Sequence, residues 1–384
     1  MTAAEFLERF QRSDPRFEGL QGRLEAARAE VEAVRLLPNP SVAYDREEVF
    51  ASSRGFPENT VRLAWPVEIS GRRGKRIDAA EAGARASAAE MERARFLLTL
   101  DALDLYHDAA VLRLRVGMLR ERRDALATLL TAVRARASAG DASGYDLSRL
   151  EIELAAHDDL LSEAEQELTA ARRSLATLLG EPGGMLDASD PLELPARPAA
   201  VTALVETSRT ARWDYLGSLR RVEQAEHELS SARRAWIPTL QLSGGIKTSD
   251  LGTETATGYT AGLSLSLPLF DHGQAQRASA VANKKLALSE ARTLERAVPL
   301  AVENSHDELT LRLSQATRYE KEHIPKLDAL LRQAEVSYRE GERPVFELLD
   351  AYRTAREVRL RSLDLRRQAK RSELNLWRAL GRRP

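Results

Sequence analysis

Glu347 and Asp350 stand three positions apart in a run of helical periodicity, so both carboxylates lie on one face of a helix. Acids so placed either belong to a solvated face or attract cations along a polar passage. Arg343, in the tight turn Gly341-Glu342-Arg343-Pro344 just before them, can offset their charge. No other group of reactive residues forms a catalytic constellation. His227-Glu228 lacks the second histidine of a zinc-binding helix, and Gly140 to Gly144 follows a helical run where a nucleophile elbow needs a strand. The six histidines are scattered, and His157 falls on an apolar stripe, as a packed histidine does. Zero cysteines exclude disulfides, thiolate metal sites and cysteine nucleophiles. The expectation is therefore a protein that is not an enzyme, with no catalytic residues, no metal site and no cofactor. One basic run, Arg72, Arg73, Lys75 and Arg76, places cations at a helix start, where they oppose the macrodipole. It reads either as a plain solvated elbow or as one that meets phosphate.

The elements that carry these residues follow from composition and period. Aromatic residues make up only 5% of the 384 and charged residues 30%, so long helices are expected rather than one large core. Lys plus Arg number 57 against 58 Asp plus Glu, which removes the bulk positive charge that a nucleic-acid binder needs. Apolar residues recur every seven positions from Ile77 through Met91, Leu105 and Leu119 to Val133, and again from Leu147 through Leu161 to Leu175. Such a repeat imposes left-handed supercoiling, and about 65 residues at 1.5 Å each extend roughly 100 Å. Only Gly140 to Gly144 separates the two runs, so the helices fold back antiparallel.

The same landmarks return about 200 residues later: Pro38 and Pro238, Gly71 and Gly273, Gly140 and Gly341, Gly180 and Gly381. The chain thus reads as two repeats, residues 1–180 and 201–384, joined by the Pro/Gly-rich segment 181–200. Strands are expected at about 40–49, 59–68, 239–247 and 257–268. Helices are expected at about 17–37, 74–139, 145–180, 201–236, 274–340 and 345–381, with Pro299 and Pro325 bending or interrupting the second long helix.

Alternation in the strands separates an apolar set, Val61, Leu63, Trp65, Leu240, Leu242, Leu263, Leu265 and Leu267, from Thr, Ser, Gln and Gly. This pattern fits a half-buried sheet or a barrel wall with lipid outside and water inside. Two hairpins do not make a stable sheet unaided, and lipid demands closure. The longest uncharged run, Thr255 to Phe270, is about 16 residues and too polar for a membrane helix. The opening MTAAEFLERFQRSDPRF has charges throughout, so a leader is expected to have been removed if the protein is exported.

Together, Leu37-Pro38-Asn39-Pro40, the junction Trp65-Pro66-Val67-Glu68-Ile69-Ser70-Gly71-Arg72-Arg73-Gly74-Lys75-Arg76, and Ile324-Pro325-Lys326-Leu327 with Tyr338, Gly341 and Leu348-Leu349-Asp350-Ala351 resemble the TolC family of outer-membrane efflux ducts. The junction is similar to the heavy-metal and cation efflux branch. The resemblance implies a mainly α fold with a small membrane β part, four strands per protomer, in a homotrimer. Its 12-stranded barrel would lie in outer-membrane lipid and continue as an α-helical coiled-coil tunnel across the periplasm. It also implies a periplasmic adaptor and, through it, an inner-membrane pump of the RND type, with the duct passing metal cations or small toxic compounds. Glu347, Asp350 and Arg343 would form the periplasmic aperture. Gly140, Asp141, Ser143, Tyr145, Gly341 and Phe346 would form the tips that dock the adaptor. Two alternatives are the exit duct of a type I protein-secretion system and a soluble coiled-coil scaffold. Ser148-Arg149 in the first tip departs from Leu349-Asp350 in the second.

Overall fold

The computed structural model describes residues 1–51, 54–140 and 143–382. Two helices open the chain, α1 (Ala3–Ser13) and α2 (Pro15–Arg35), followed by the hairpin β1 (Ser41–Ala51) and β2 (Arg54–Val67). Next come α3 (Arg72–Ser138) and α4 (Gly144–Leu178), an irregular segment, α5 (Val201–Ala211) and α6 (Trp213–Ala232). The second hairpin, β3 (Leu240–Asp250) and β4 (Thr255–Leu265), leads into α7 (Gln274–Arg318), a π-helical turn at Tyr319–His323, α8 (Ile324–Arg339) and α9 (Val345–Leu380).

The chain forms two compact units, and each draws on both repeats. One comprises Met1–Leu20, Arg93–Arg212 and Arg296–Pro384; the other comprises Gln21–Glu92 and Trp213–Glu295. Residues 181–200 lie wholly inside the first, where Leu186, Ala188 and Leu192 are buried.

In the first unit, α3 and α4 run antiparallel. Val116 and Leu119 pack on Ala164 and Leu168. Along the seam Arg115 meets Glu167, Arg123 meets Asp158 and Arg134 meets Glu151, the partner number falling as the first rises. Helix α9 also runs antiparallel to α3, with Arg378 on Asp101 and Arg367 on Asp108. A short helix that heptad reading does not reveal, α1, plugs this core. A capping box starts it: Glu5 N donates to Thr2 Oγ1 at 3.3 Å while Thr2 N donates to Glu5 Oε2 at 2.9 Å. Its Phe6 and Phe10 are fully buried beside Tyr106, whose hydroxyl donates to Met1 O at 2.7 Å.

Three local features depart from simple helical expectation. The run 201–236 is two helices, because Arg212 adopts an extended conformation at φ −80° and ψ 109°. Pro299 lies inside α7 without ending it. Pro325, by contrast, falls in the first turn of α8, directly after the π-helical turn. A proline cannot donate to the carbonyl four residues back, and the wider turn accommodates that loss.

In the second unit the two hairpins join through β2 and β3, giving one antiparallel sheet in the order β1-β2-β3-β4. Trp65 pairs with Leu242 and Leu242 with Leu263, while Val67 pairs with Leu240 and Leu240 with Leu265. Directly paired residues point the same way. The register therefore gathers Val61, Leu63, Trp65, Leu240, Leu242, Leu263 and Leu265 on one face. Leu267 lies beyond the end of β4 and is exposed. The opposite face carries Thr60, Arg62, Gln241, Ser243, Lys247 and Ser264. No helix among the described residues is long and apolar enough to cross a membrane.

Candidate functional site

The two tight turns reverse the chain by the same device. Gly140 and Gly341 adopt φ of +87° and +78°, in the left-handed region that an L side chain resists. Both are exposed, and Ser143 caps α4 by accepting from Tyr145 N at 3.1 Å. Asp141, expected beside them, lies outside the described residues. Tyr145 is 68% exposed, and its oxygen accepts from Arg149 Nη1 at 3.3 Å. Phe346 is also exposed, one residue into α9. The two turns thus present the aromatic side chains of Tyr145 and Phe346 at the starts of α4 and α9.

Past the second turn, Val345, Leu348 and Leu349 are buried against Leu327, Leu331 and Leu150. That anchoring turns Glu347 and Asp350 to the opposite side of α9. Arg343 donates to the Glu347 carboxylate one helical turn ahead. All three line a cavity of about 570 Å³ with Arg149, Phe346 and Ser337. Asp350 is exposed and has no ion pair among the described residues. The structure brings together Arg343, Glu347, Asp350 and Phe346. To this second-tip group it adds Arg149 from the first tip.

Sequence reasoning did not assign Arg149 a role, nor did it find the polar cluster behind the cavity. Glu153 is nearly buried and accepts from Arg353 of α9, with Nε at 3.1 and 3.2 Å from its oxygens. Hydrogen bonding from Arg353 holds the Glu153 carboxyl below the usual carboxylate range. His157, one turn on, is 2% exposed with Nδ1 unpartnered, and burial lowers its basicity. Tyr352 donates to Glu335 at 3.2 Å under the Arg122 guanidinium, and burial pushes its hydroxyl up to about 12. A signal for this cluster existed. Glu153 sits three residues after Leu150 and four before His157, an acid on the packed side of the helix.

Nothing in this arrangement can do covalent chemistry. No nucleophile faces a base, and no group of three or more metal-ligating side chains occurs among the described residues. What it can do is place opposite charges around a cavity, while the other unit offers a sheet with one apolar face.

The chain is similar to known proteins in sequence and in fold. The cobalt-zinc-cadmium resistance protein CzcC of Cupriavidus metallidurans is 24% identical over 94% of this chain and 85% of its own length. The cation efflux system protein CusC of Escherichia coli is 25% identical over 58% of this chain and 50% of its own length. In three dimensions the outer-membrane channel OprN superposes with a TM-score of 0.82 at 21% identity, covering 99% of this chain and 89% of that one. The sequence profile of the outer membrane efflux proteins matches residues 7–181 and 217–382. The chain belongs to the outer membrane efflux protein family and is a passive efflux duct of the outer membrane, not an enzyme.

Proposed function

We propose that three copies of this chain close a 12-stranded barrel in the outer membrane, continued by a helical tunnel in the periplasm. The observation that carries this reading is the four-stranded sheet, apolar on one face, polar on the other, and open at β1 and β4. Lipid tolerates no unpaired strand edge, and four strands are half of what the smallest membrane barrels use. Edge-to-edge pairing of β4 with β1 of the next copy satisfies both edges. A periplasmic adaptor docks on the tips around Gly140, Ser143, Tyr145, Gly341 and Phe346, and an inner-membrane pump of the RND type supplies the energy. Glu347, Asp350 and Arg343 form the aperture. The cargo class is metal cations, supported by the names of CzcC and CusC and by the carboxylates at the opening.

Fractionation of cells making the full-length protein tests the assembly. A detergent-extracted, heat-sensitive trimer in the outer membrane is expected, and a monomer extracted without detergent would overturn it. Loss of cobalt, zinc or cadmium tolerance on deletion, restored by the intact gene, tests the cargo.

A further inference from the structure

The helical ends of the four strands carry Arg72, Arg73, Arg233, Arg234 and Arg277, which outnumber the acids Glu68 and Asp271 there. Helix α3 opens with Arg72 and Arg73, and neither α3 nor α7 has an acid in its first turn. Acids are what stabilise a helix start, and cations there oppose the macrodipole. The two starts are adjacent, because Arg72 Nη2 donates to Gln276 Oε1 at 3.2 Å. Arg234, just past the end of α6, joins them by donating to Gly71 O at 3.2 Å. Beside them Arg233 and Arg277 are exposed with no acidic partner among the described residues. The hairpin ends of the same strands differ, with Asp45, Glu47, Glu48, Glu58, Asp250 and Glu254 against Arg46, Arg54 and Lys247.

A second observation is independent of charge. At this basic end two aromatic side chains stand out of the protein: Trp236 at 60% and Phe270 at 92% exposure. Trp236 follows Arg233 and Arg234 by three and two residues and precedes β3, whereas Phe270 follows β4 and precedes Arg277 by seven. Exposed tryptophan and phenylalanine at a barrel rim belong to the level of the lipid headgroups.

From these positions we infer that Arg233, Arg234 and Arg277, with the starts of α3 and α7, bind the phosphates of anionic phospholipid in the inner leaflet of the outer membrane. The inference rests on the barrel reading given above. It adds a ligand class and a site: a collar of cations that locks the depth of the barrel through phosphate while Trp236 and Phe270 enter the acyl boundary. An Arg guanidinium suits this role because its planar donors pair with phosphate oxygens. Two helix N-termini beside it add dipoles of the same sign. The unfavourable placement of Arg72 and Arg73 is then offset by the bound anions.

The test uses full-length protein reconstituted into vesicles of phosphatidylcholine, with or without phosphatidylglycerol. Bromine-labelled phosphatidylglycerol should quench Trp236 more than equally labelled phosphatidylcholine, the Trp236 signal being the part lost in W236F. Each removed charge should weaken retention of phosphatidylglycerol about fivefold, so R233Q/R234Q/R277Q should lose its preference for that lipid while the corresponding lysine variant keeps most of it. Equal quenching by both lipids in inserted wild-type protein would overturn the collar. Displacement of the retained lipid by millimolar inorganic phosphate would also overturn it, by showing a free-anion site. Protein that inserts in neither vesicle would instead overturn the barrel reading beneath it.

Discussion

Arg353 of α9 holds the carboxylate of Glu153 of α4, two residues 200 positions apart that occupy neighbouring places in the two repeats. The side chain of Glu153 is 8% exposed, whereas that of Arg353 is 44% exposed. The two are therefore unequal when separated. Arg353→Ala strands a buried charge, whereas Glu153→Gln leaves an arginine that can turn to water. After allowing for solvent screening of the arginine, Arg353→Ala should cost about 2 kcal/mol and Glu153→Gln about 1 kcal/mol. Thermal unfolding in detergent at neutral pH checks the order, and an equal or reversed order would contradict it. Because the folded pKa of Glu153 is depressed, its contribution is complete above the ordinary value of 4.5 and is lost as pH falls below it. The wild type should lose this increment on acidification, and Glu153→Gln should not.

His157 produces a separate acid response at higher pH. It is packed on the Leu150 stripe, faced by Glu153 and Asp158 on its own helix and by Arg356 and Arg122 from α9 and α3. Burial is the largest influence and Arg356 the next, both lowering its pKa from 6.5. The folded protein thus keeps it neutral where the unfolded chain takes up a proton. Stability should fall as pH drops below 6.5, in a window above that of Glu153. His157→Leu should flatten the melting temperature across that window, and an unchanged slope would place the responsible group elsewhere.

The sheet register makes a sharp comparison between neighbours. Leu263 pairs with Leu242 on the apolar face, while Ser264 pairs with Gln241 on the polar one. In a lipid-facing wall, Leu263→Arg should cost about 2 kcal/mol and reduce assembled protein in the outer membrane. Ser264→Arg should be tolerated. Equal yields of heat-modifiable trimer from the two variants would argue that the apolar face does not meet lipid.

These contrasts also mark what could be read without the structure. The alternation in β2, β3 and β4 and the heptads of α3 and α4 are strictly periodic, so period alone exposes the apolar face and the antiparallel helix pair. Helix α1 escaped because it is 11 residues long, with Phe6, Leu7 and Phe10 providing too short a pattern. The break at Arg212 depends on backbone conformation, with no proline or glycine to announce it. The pairing of β2 with β3 joins the two halves and depends on long-range contact. At the tip, Glu347 and Asp350 were legible as an i,i+3 pair. Arg149 was not, since it reaches their cavity from residues two hundred positions away.

The cavity lined by Arg149, Arg343, Glu347 and Asp350, proposed above as the aperture, allows charge and gating to be separated by mutation. In a three-fold assembly Glu347 and Asp350 form two rings of three carboxylates, about 4.5 Å apart along the helix. Such rings attract cations and exclude anions. Glu347→Gln with Asp350→Asn should lower the cation-to-anion permeability ratio in planar bilayers by about two- to fivefold, the change that roughly 0.5–1 kcal/mol corresponds to. Block by multivalent cations should weaken in parallel. Arg343→Ala removes the partner of Glu347 and should raise single-channel conductance while making the mouth more cation-selective. Arg149→Ala should increase selectivity in the same direction without breaking that ion pair. If the double carboxylate variant keeps its selectivity and its block, Glu347 and Asp350 face bulk water and the constriction lies elsewhere along the tunnel.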